Sequence, residues 1–143
     1  MSEPRILCVD DEPRVLEGLQ RVCHHSFTVE TAGSGAEALA LLDRGAVFEV
    51  IVSDMQMPQM NGVALLAEFR TRAPDTIRVL LTGQADINGA IAAVNDGQIF
   101  CFLSKPCPAE TLIAALEGAV AQHRLVSAEK VLLEQTLVSR GRS

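Results

Sequence analysis

Short apolar runs alternate with longer amphipathic stretches along most of the chain. Five runs have the length of buried strands, at residues 5–9, 27–31, 48–53, 77–81 and 99–103. Apolar residues at three- and four-residue spacing follow each run, and they predict helices that end near Cys23, Leu42, Arg72, Val94 and Val138. Because strand and helix alternate five times, the chain predicts an α/β fold, with a parallel sheet covered by helices on both faces.

Local signals indicate where several of these helices begin. Asp11 is the predicted N-cap of the first helix, and Pro13 is tolerated in its first turn. Ser34-Gly35-Ala36-Glu37 is a capping-box pattern that opens the second helix. Asp86 is predicted to cap the fourth helix, which Asn95-Asp96-Gly97 closes.

Four of the predicted strands end in polar residues. Those residues are Asp10 and Asp11 after the first strand, Asp54 after the third, Thr82 after the fourth and Lys105 after the fifth. The carboxyl ends of parallel strands meet at one edge of the sheet, where ligands bind, so we expect these side chains to converge. Each alone would be an ordinary turn residue, and only the set predicts a site.

The chemistry of this set favours phosphoryl transfer. Three close carboxylates repel one another, and a hard divalent cation relieves that repulsion. Mg²⁺ prefers one or two carboxylates together with waters and phosphate oxygens. An aspartate can act as the nucleophile and become an aspartyl-phosphate. Lys105 and Thr82 could each hold one oxygen of the transferred group.

Charge and composition argue against several classes of function. The 143 residues include 12 Lys and Arg against 18 Asp and Glu, a net charge of −6, which argues against direct nucleic-acid binding. No run approaches the roughly 20 apolar residues of a membrane span, and the N-terminus lacks a signal-peptide pattern, so we expect a cytoplasmic protein. Neither a GxGxxG nor a Walker A pattern is present, so a nucleotide site has no support.

The four cysteines are expected to be reduced, with structural roles. They are Cys8, Cys23, Cys101 and Cys107, and they form no Cys-x-x-Cys pair. Cys23-His24-His25 has the composition of a metal site, but it closes an amphipathic helix, where histidine is common. We therefore expect a structural role there rather than zinc binding.

Taken together, the strand-end motifs resemble the receiver domains of bacterial two-component response regulators. The resemblance is carried by Val9–Pro13, Ser53–Gly62, Leu81–Gly83 and Ser104–Pro106, and it covers roughly residues 5–122. It implies a flavodoxin-like (CheY-like), doubly wound, five-stranded parallel sheet in the order 2-1-3-4-5. It also implies a receiver domain at 4–122, followed at 123–143 by a helical, coiled-coil-like extension or a linker to an output domain.

The resemblance implies a role for each residue of the acidic site. Asp54 would accept a phosphoryl group from a cognate sensor histidine kinase, with Mg²⁺ as the cofactor. Asp10 and Asp11 would form the acidic pair for the metal, and Gln56 would add its backbone carbonyl as a further ligand. Lys105 would bind the phosphoryl group. Beyond its own phosphoryl transfer and autodephosphorylation, such a module is not an enzyme.

The resemblance also implies a switch. Thr82 would be the switch hydroxyl and Phe102 the switch aromatic, with phenylalanine in place of the more common tyrosine. The Lys105–Pro106 peptide bond would be cis. On phosphorylation, the face formed by helix 4, strand 5 and helix 5 would change, and it would control dimerisation or an attached output domain.

The identity of the output domain is a finer expectation. Residues 79–86 and 97–106 are similar to receivers fused to HD-GYP phosphodiesterases, which would make cyclic-di-GMP hydrolysis the controlled activity. Cys107-Pro108 departs from that group, where an aromatic-acid pair commonly follows the Lys-Pro dipeptide.

Two other functions remain as alternatives. A degenerate receiver-like interaction module would never be phosphorylated, and the intact acidic set argues against it. A Mg²⁺-dependent phosphohydrolase of the haloacid-dehalogenase type needs Asp-x-Asp after the first strand. Here Glu12 and Pro13 stand two residues after Asp10 and Asp11, and the chain has no room for a cap domain.

The last helical stretch carries a heptad pattern. The spacing alternates between four and three along Leu112, Leu116, Ala119, His123, Val126, Lys130, Leu133 and Leu137, which we call the predicted seam. This pattern predicts that helix five is extended and pairs with a second chain, or leads into an output domain. Residues 139–143 have the composition of a truncated or disordered end.

Overall fold

Five parallel strands form the sheet, and the apolar runs of its three central strands are buried on both faces. The strands are β1 (Arg5–Val9), β2 (Thr28–Ala32), β3 (Val50–Asp54), β4 (Ile77–Thr82) and β5 (Cys101–Ser104). Their hydrogen-bonded order is β2-β1-β3-β4-β5, which confirms the doubly wound order implied by the resemblance. The computed structural model describes residues 3–141, with side chains described up to Leu137.

Five helices cover the sheet, three on one face and two on the other. They are α1 (Pro13–Cys23), α2 (Gly35–Asp43), α3 (Gly62–Arg72), α4 (Ile87–Asn95) and α5 (Ala109–Gly141). Successive strand side chains point to opposite faces, so alternate residues of each strand enter two separate cores. One core lies between the sheet and α1 and α5, and the other between the sheet and α2, α3 and α4.

Apolar runs mark burial better than they mark strand pairing. The sequence predicts that β3 begins at Phe48 and β5 at Ile99, but pairing begins at Val50 and Cys101. Phe48 and Ile99 are only 1% and 4% exposed, and they fill the core from the preceding loops. The two predicted strands were therefore right in place, but they begin two residues later and end one residue later than predicted.

Two of the predicted N-caps differ in the structure. Glu12 rather than Asp11 occupies the N-cap of α1, and it makes no side-chain cap bond. The helix begins at Pro13, which has no N–H to be capped, and this leaves the Asp11 side chain free at the edge of the sheet. Asp86 does occupy the N-cap of α4, but without a side-chain bond, because a preceding 3₁₀ turn supplies the Gln84 carbonyl to the first helical N–H.

The capping box of α2 is confirmed in its main part. The Ser34 hydroxyl accepts a hydrogen bond from the Glu37 N–H at 3.1 Å. The Glu37 carboxylate accepts one from the Gly33 N–H, one residue earlier than the pattern predicts.

We expect Ser34→Ala to lower the free energy of unfolding by about 1 kcal/mol, because the substitution removes the acceptor of a helix N–H. The measurement is urea denaturation followed by circular dichroism. Asp86→Ala is the matched control, since Asp86 holds an N-cap position without a side-chain bond, and its loss should be smaller. Equal losses from both substitutions would contradict the role of the Ser34 hydroxyl.

Helix α5 continues without a break through the predicted domain boundary at residue 122. It spans 33 residues, so the predicted extension of the last helix is confirmed. The boundary itself remains a prediction, and Arg142 and Ser143 of the predicted ragged end lie outside the described residues. Within residues 3–141, the helices do not meet the length and apolarity needed to cross a membrane.

The predicted seam faces the sheet of its own chain over its first half. Leu112, Leu116 and Ala119 are buried in the core under α1 and α5. The prediction that this half of the seam pairs with a second chain is therefore wrong. Further along, Lys130 Nζ lies 3.1 Å from Asp75 Oδ2 in the loop before β4. His123 and Lys130 line a cavity of about 490 Å³ between α5 and the loops that precede β3 and β4.

Candidate functional site

Three acidic residues and a lysine meet at the carboxyl ends of the strands. Asp10, Asp11 and Asp54 each place one carboxylate oxygen within 4.8 Å of the other two. Lys105 Nζ lies 2.5 Å from Asp54 Oδ1 and 3.6 Å from Asp10 Oδ2. The predicted convergence is therefore confirmed for these four residues, which we call the acidic cluster.

The backbone around Asp54 explains why its carboxylate is held so firmly. Asp54 is the last residue of the fully buried strand β3 and is only 6% exposed. The Gly62 N–H donates to the Met55 carbonyl at 2.9 Å, which brings the start of α3 directly onto the end of β3. A Cβ at Gly62 would lie 2.1 Å from the Asp54 carbonyl oxygen, so only glycine fits.

The sequence analysis did not find this role of Gly62. The Asn61-Gly62 dipeptide was visible as a loop signal, but a loop signal does not say which backbone the glycine touches. Asn61 is the N-cap of α3, and its side chain accepts from the Ala64 N–H at 2.9 Å. One signal in the sequence could have pointed to the close approach of Gly62 to Asp54. It is a glycine that directly follows a capping residue, a few residues after an apolar run that ends in an acid.

One carboxylate oxygen of Asp10 faces Lys105 at ion-pair distance but accepts no hydrogen bond among residues 3–141. Asp10 Oδ1 accepts from the Glu12 N–H at 2.9 Å, whereas its buried Oδ2 has no hydrogen-bond partner within residues 3–141. Burial raises the pKa of Asp10. The Glu12 N–H and Lys105 oppose this shift, and the charges of Asp54 and Asp11 add to it. A cation next to Oδ2 would satisfy this oxygen and favour the ionised carboxylate.

Lys105 is held as an ammonium by the cluster. Burial alone would lower the pKa of Lys105, but the hydrogen bond and charge of Asp54, together with the charge of Asp10, outweigh it and raise the pKa. Three carboxylates and one ammonium leave a formal charge of −2 when all four groups are ionised. Oxygen donors with that charge suit a hard divalent cation.

The remaining predicted site residues lie around the cluster. Thr82 ends β4 and is fully buried, and within residues 3–141 its hydroxyl donates only to the adjacent Gly83 carbonyl, at 3.2 Å. Phe102 is half-buried on β5 and packs against the core under α2, α3 and α4. The Lys105–Pro106 bond is cis, as predicted. Gln56 follows β3 with its side chain exposed, and the role of its carbonyl remains a prediction.

The Cys23-His24-His25 segment is structural. Cys23 is fully buried in the core, and burial raises its pKa to about 11, which keeps it a thiol. His24 Nδ1 lies 3.0 Å from the Arg21 carbonyl oxygen at the end of α1. Among the described residues, the acidic cluster is the one group of three or more potential metal ligands. All four cysteines are free.

An apolar groove of about 360 Å³ opens beside Lys105. It lies between α1 and the start of α5, and its lining includes Leu19, Val22, Pro106 and Leu112. This groove gives an approaching protein an apolar surface next to the acidic cluster.

Comparison with known proteins gives consistent relatives. A family model for the response regulator receiver domain matches residues 6–117. The chain is 39% identical over 119 residues to the hydrogenase transcriptional regulatory protein HoxA of Cupriavidus necator, which covers 83% of this chain and 24% of that protein. The chain thus spans about a quarter of the length of the curated relatives it matches.

Solved structures share the same architecture. A structure described as adenylate cyclase from Rhodopirellula baltica superposes with a TM-score of 0.90 at 39% identity, covering 92% of this chain and 98% of that chain. The signal receiver domain of an HD domain-containing protein from Pseudomonas fluorescens Pf-5 superposes with a TM-score of 0.79 at 34% identity, covering 85% and 98%.

Proposed function

The chain belongs to the response regulator receiver domain family, and from that premise we propose that Asp54 accepts a phosphoryl group from a sensor histidine kinase in the presence of Mg²⁺. Receiver domains of this family act in phosphorylation-based signalling. The observation that carries the proposal is the acidic cluster, in which Lys105 contacts Asp54 at 2.5 Å and the buried Asp10 Oδ2 accepts no hydrogen bond among residues 3–141.

We propose a task for each residue of the cluster. The Asp54 carboxylate attacks phosphorus, a P–O bond forms, the P–N bond of the phosphohistidine breaks, and the departing imidazole takes a proton from water. Lys105 stays at Asp54 and binds an oxygen of the transferred group. Asp10, Asp11 and Asp54 would hold Mg²⁺, with the Gln56 carbonyl as a further ligand. Mg²⁺ would neutralise charge on the transferred phosphoryl oxygens.

The proposed switch rests on two side chains, Thr82 and Phe102. The Thr82 hydroxyl has only its 3.2 Å bond to Gly83 to give up before it can turn towards a phosphoryl oxygen. Phe102 is half-buried on the neighbouring strand and would fill the space that Thr82 leaves. Phosphorylation biases an equilibrium that already exists between the two arrangements.

The face of α4, β5 and α5 is suited to contacts that this switch controls. Helix α4 has no charged residue, and Ile91 and Phe100 are 44% and 42% exposed on this side. We infer that the face controls dimerisation or an attached output domain. Exposed apolar groups that lie together favour protein contacts over contacts with water.

We also infer that an output domain is present in cis in a cytoplasmic protein. The transcriptional regulator HoxA, of which the chain matches about a quarter, supports a transcriptional output. The HD domain-containing neighbour supports the cyclic-di-GMP phosphodiesterase considered above, which stays the second candidate. Any nucleic-acid contact would be made by the output domain, since the net charge of this segment is −6.

The test is phosphorylation by a small-molecule donor. With acetyl phosphate or phosphoramidate and Mg²⁺, we expect the intact mass to increase by one phosphoryl group, which peptide mapping places at Asp54. EDTA should prevent the increase. No gain under either condition would indicate the inert interaction module instead, and catalytic turnover of a generic phosphate ester would indicate the phosphohydrolase.

A further inference from the structure

The outer side of α5 carries a second heptad pattern that differs from the predicted seam. Its residues are uncharged, exposed and spaced alternately by four and three, and we call them the outward stripe: Ala114, Gly118, Ala121, Leu125, Ala128 and Leu132. Leu125 and Leu132 stand seven residues apart and are 63% and 65% exposed. Beyond Val120 the helix leaves the core, and residues 122–137 extend over about 22 Å at 1.5 Å per residue.

The opposite side of the same helix is turned towards its own chain as far as Lys130, beyond which Leu133 and Leu137 are 61% and 59% exposed. Leu112 and Leu116 are buried in the core, and Lys130 lies 3.1 Å from Asp75. Seen down the helix axis, the outward stripe lies on the side away from these residues, since each residue turns the helix by about 100°. The outward stripe is therefore the side that a second molecule can reach along the whole of α5 as far as Leu132.

Charges beside the stripe distinguish between the two patterns. Each heptad of a parallel pair of helices has two core positions, and the residue just before the first of them faces the residue five positions later in the other chain. With Leu125 and Leu132 at the core positions, Arg124 faces Glu129 of the second copy, and two-fold symmetry repeats the contact. With the predicted seam at the core, Glu129 would face Glu134, and like charges would oppose pairing.

We propose that a second copy of this chain docks in parallel along the outward stripe, with Leu125 and Leu132 at the centre and Arg124 against the partner's Glu129. The proposal deepens the dimerisation in the proposed function, and it rests on that function for its signalling role. Exposed leucines at heptad spacing supply the apolar contact, and the small residues Ala121 and Ala128 let the helices approach closely. Attached output domains would then emerge side by side.

The test is a charge exchange measured by sedimentation equilibrium on the 143-residue chain. Arg124→Glu alone and Glu129→Arg alone should each weaken dimerisation by about tenfold, because each turns two attractions into repulsions. The double variant should return the dissociation constant to near the wild-type value. Leu125→Asp, with helix content checked by circular dichroism, should abolish the dimer.

Glu134→Arg is the matched control. It would strengthen pairing only through the predicted seam, because only there does Glu134 face Glu129, so we expect it to leave dimerisation unchanged. A wild-type chain that stays monomeric, single charge reversals without effect, or a double variant that fails to restore the dimer would each overturn the proposal. If Glu134→Arg strengthens dimerisation, the proposal is also overturned, and the result indicates pairing through the predicted seam.

Failure of this proposal can be told apart from failure of the phosphoryl-transfer proposal. The extension contacts Asp75, which precedes β4, and so it lies at the opposite end of the sheet from Asp54. The charge variants should therefore gain phosphoryl mass as the wild type does. Loss of dimerisation with normal phosphorylation, or the reverse, assigns the failure to one proposal.

Discussion

Gly62→Ala is expected to destabilise the fold by about 3 kcal/mol and to impair phosphorylation at Asp54. The new Cβ would lie 2.1 Å from the Asp54 carbonyl oxygen and 2.9 Å from Leu80 Cδ1. The leucine can shift, but the carbonyl belongs to the end of β3. Relief of the clash must move either that strand end or the start of α3, and both position the Asp54 carboxylate.

Gly18→Ala in α1 is the matched control for this substitution. Apart from the neighbouring residues and backbone of its own helix, no atom of the described residues lies within 4 Å of a Cβ at Gly18. Alanine favours a helix interior over glycine by about 0.5–1 kcal/mol, so this variant should be slightly more stable than the wild type. Urea denaturation gives both free energies of unfolding, and acetyl phosphate labelling gives the phosphorylation. A Gly62→Ala protein with wild-type stability would show that the contact between α3 and β3 is not as tight as the structure has it.

Asp54→Asn is expected to abolish the gain of phosphoryl mass while leaving the protein folded. The carboxamide has nearly the same size, so the packing at the end of β3 is kept, but it offers no anionic nucleophile and loses the charged partner of Lys105. Intact mass after incubation with acetyl phosphate and Mg²⁺ measures the loss, and circular dichroism checks the fold.

Asp96→Asn provides the control for charge alone, because Asp96 is an exposed acid at the end of α4. This variant should be labelled as the wild type is. Undiminished labelling of Asp54→Asn would show that another residue accepts the phosphoryl group. Peptide mapping would then examine Asp10 and Asp11 first. The contact between Lys105 and Asp54 would then have no role in phosphoryl transfer.

The candidate site could be predicted because it depends on where strands end. An apolar run that stops at Asp54 places that residue at the edge of a parallel sheet, whatever happens elsewhere in the chain. The same reasoning placed Asp10, Asp11 and Lys105, and the structure brings all of them together. The order of the strands came from the resemblance instead, since periodicity alone leaves several topologies open.

Predictions failed where the outcome depends on contacts distant in sequence. Asp11 has the side chain of an N-cap, but α1 begins one residue later than that pattern requires. Phe48 and Ile99 are as apolar as strand residues, yet they are buried without pairing. The close approach of Gly62 to Asp54 depends on how α3 packs, and local sequence does not encode it.

Helix α5 is the clearest case of a pattern that sequence alone could not interpret. Two heptad patterns overlap in one helix, and spacing cannot say which of them faces the sheet. The buried Leu116 and the contact of Lys130 with Asp75 decide it in the structure. The domain covers the first half of the pattern that is more apolar there, whereas Leu133 and Leu137 at its end are exposed.

Because α5 is unbroken, a small tilt where it leaves the core displaces its far end by several ångströms. From Val120, where the core ends, to Gly141 the helix is about 32 Å long at 1.5 Å per residue. A tilt of about 10° where the helix leaves the core would move its far end by about 5 Å. Small rearrangements at the buried end, near β5 and Lys105, would thus be converted into displacements the size of a helical turn at the far end of α5.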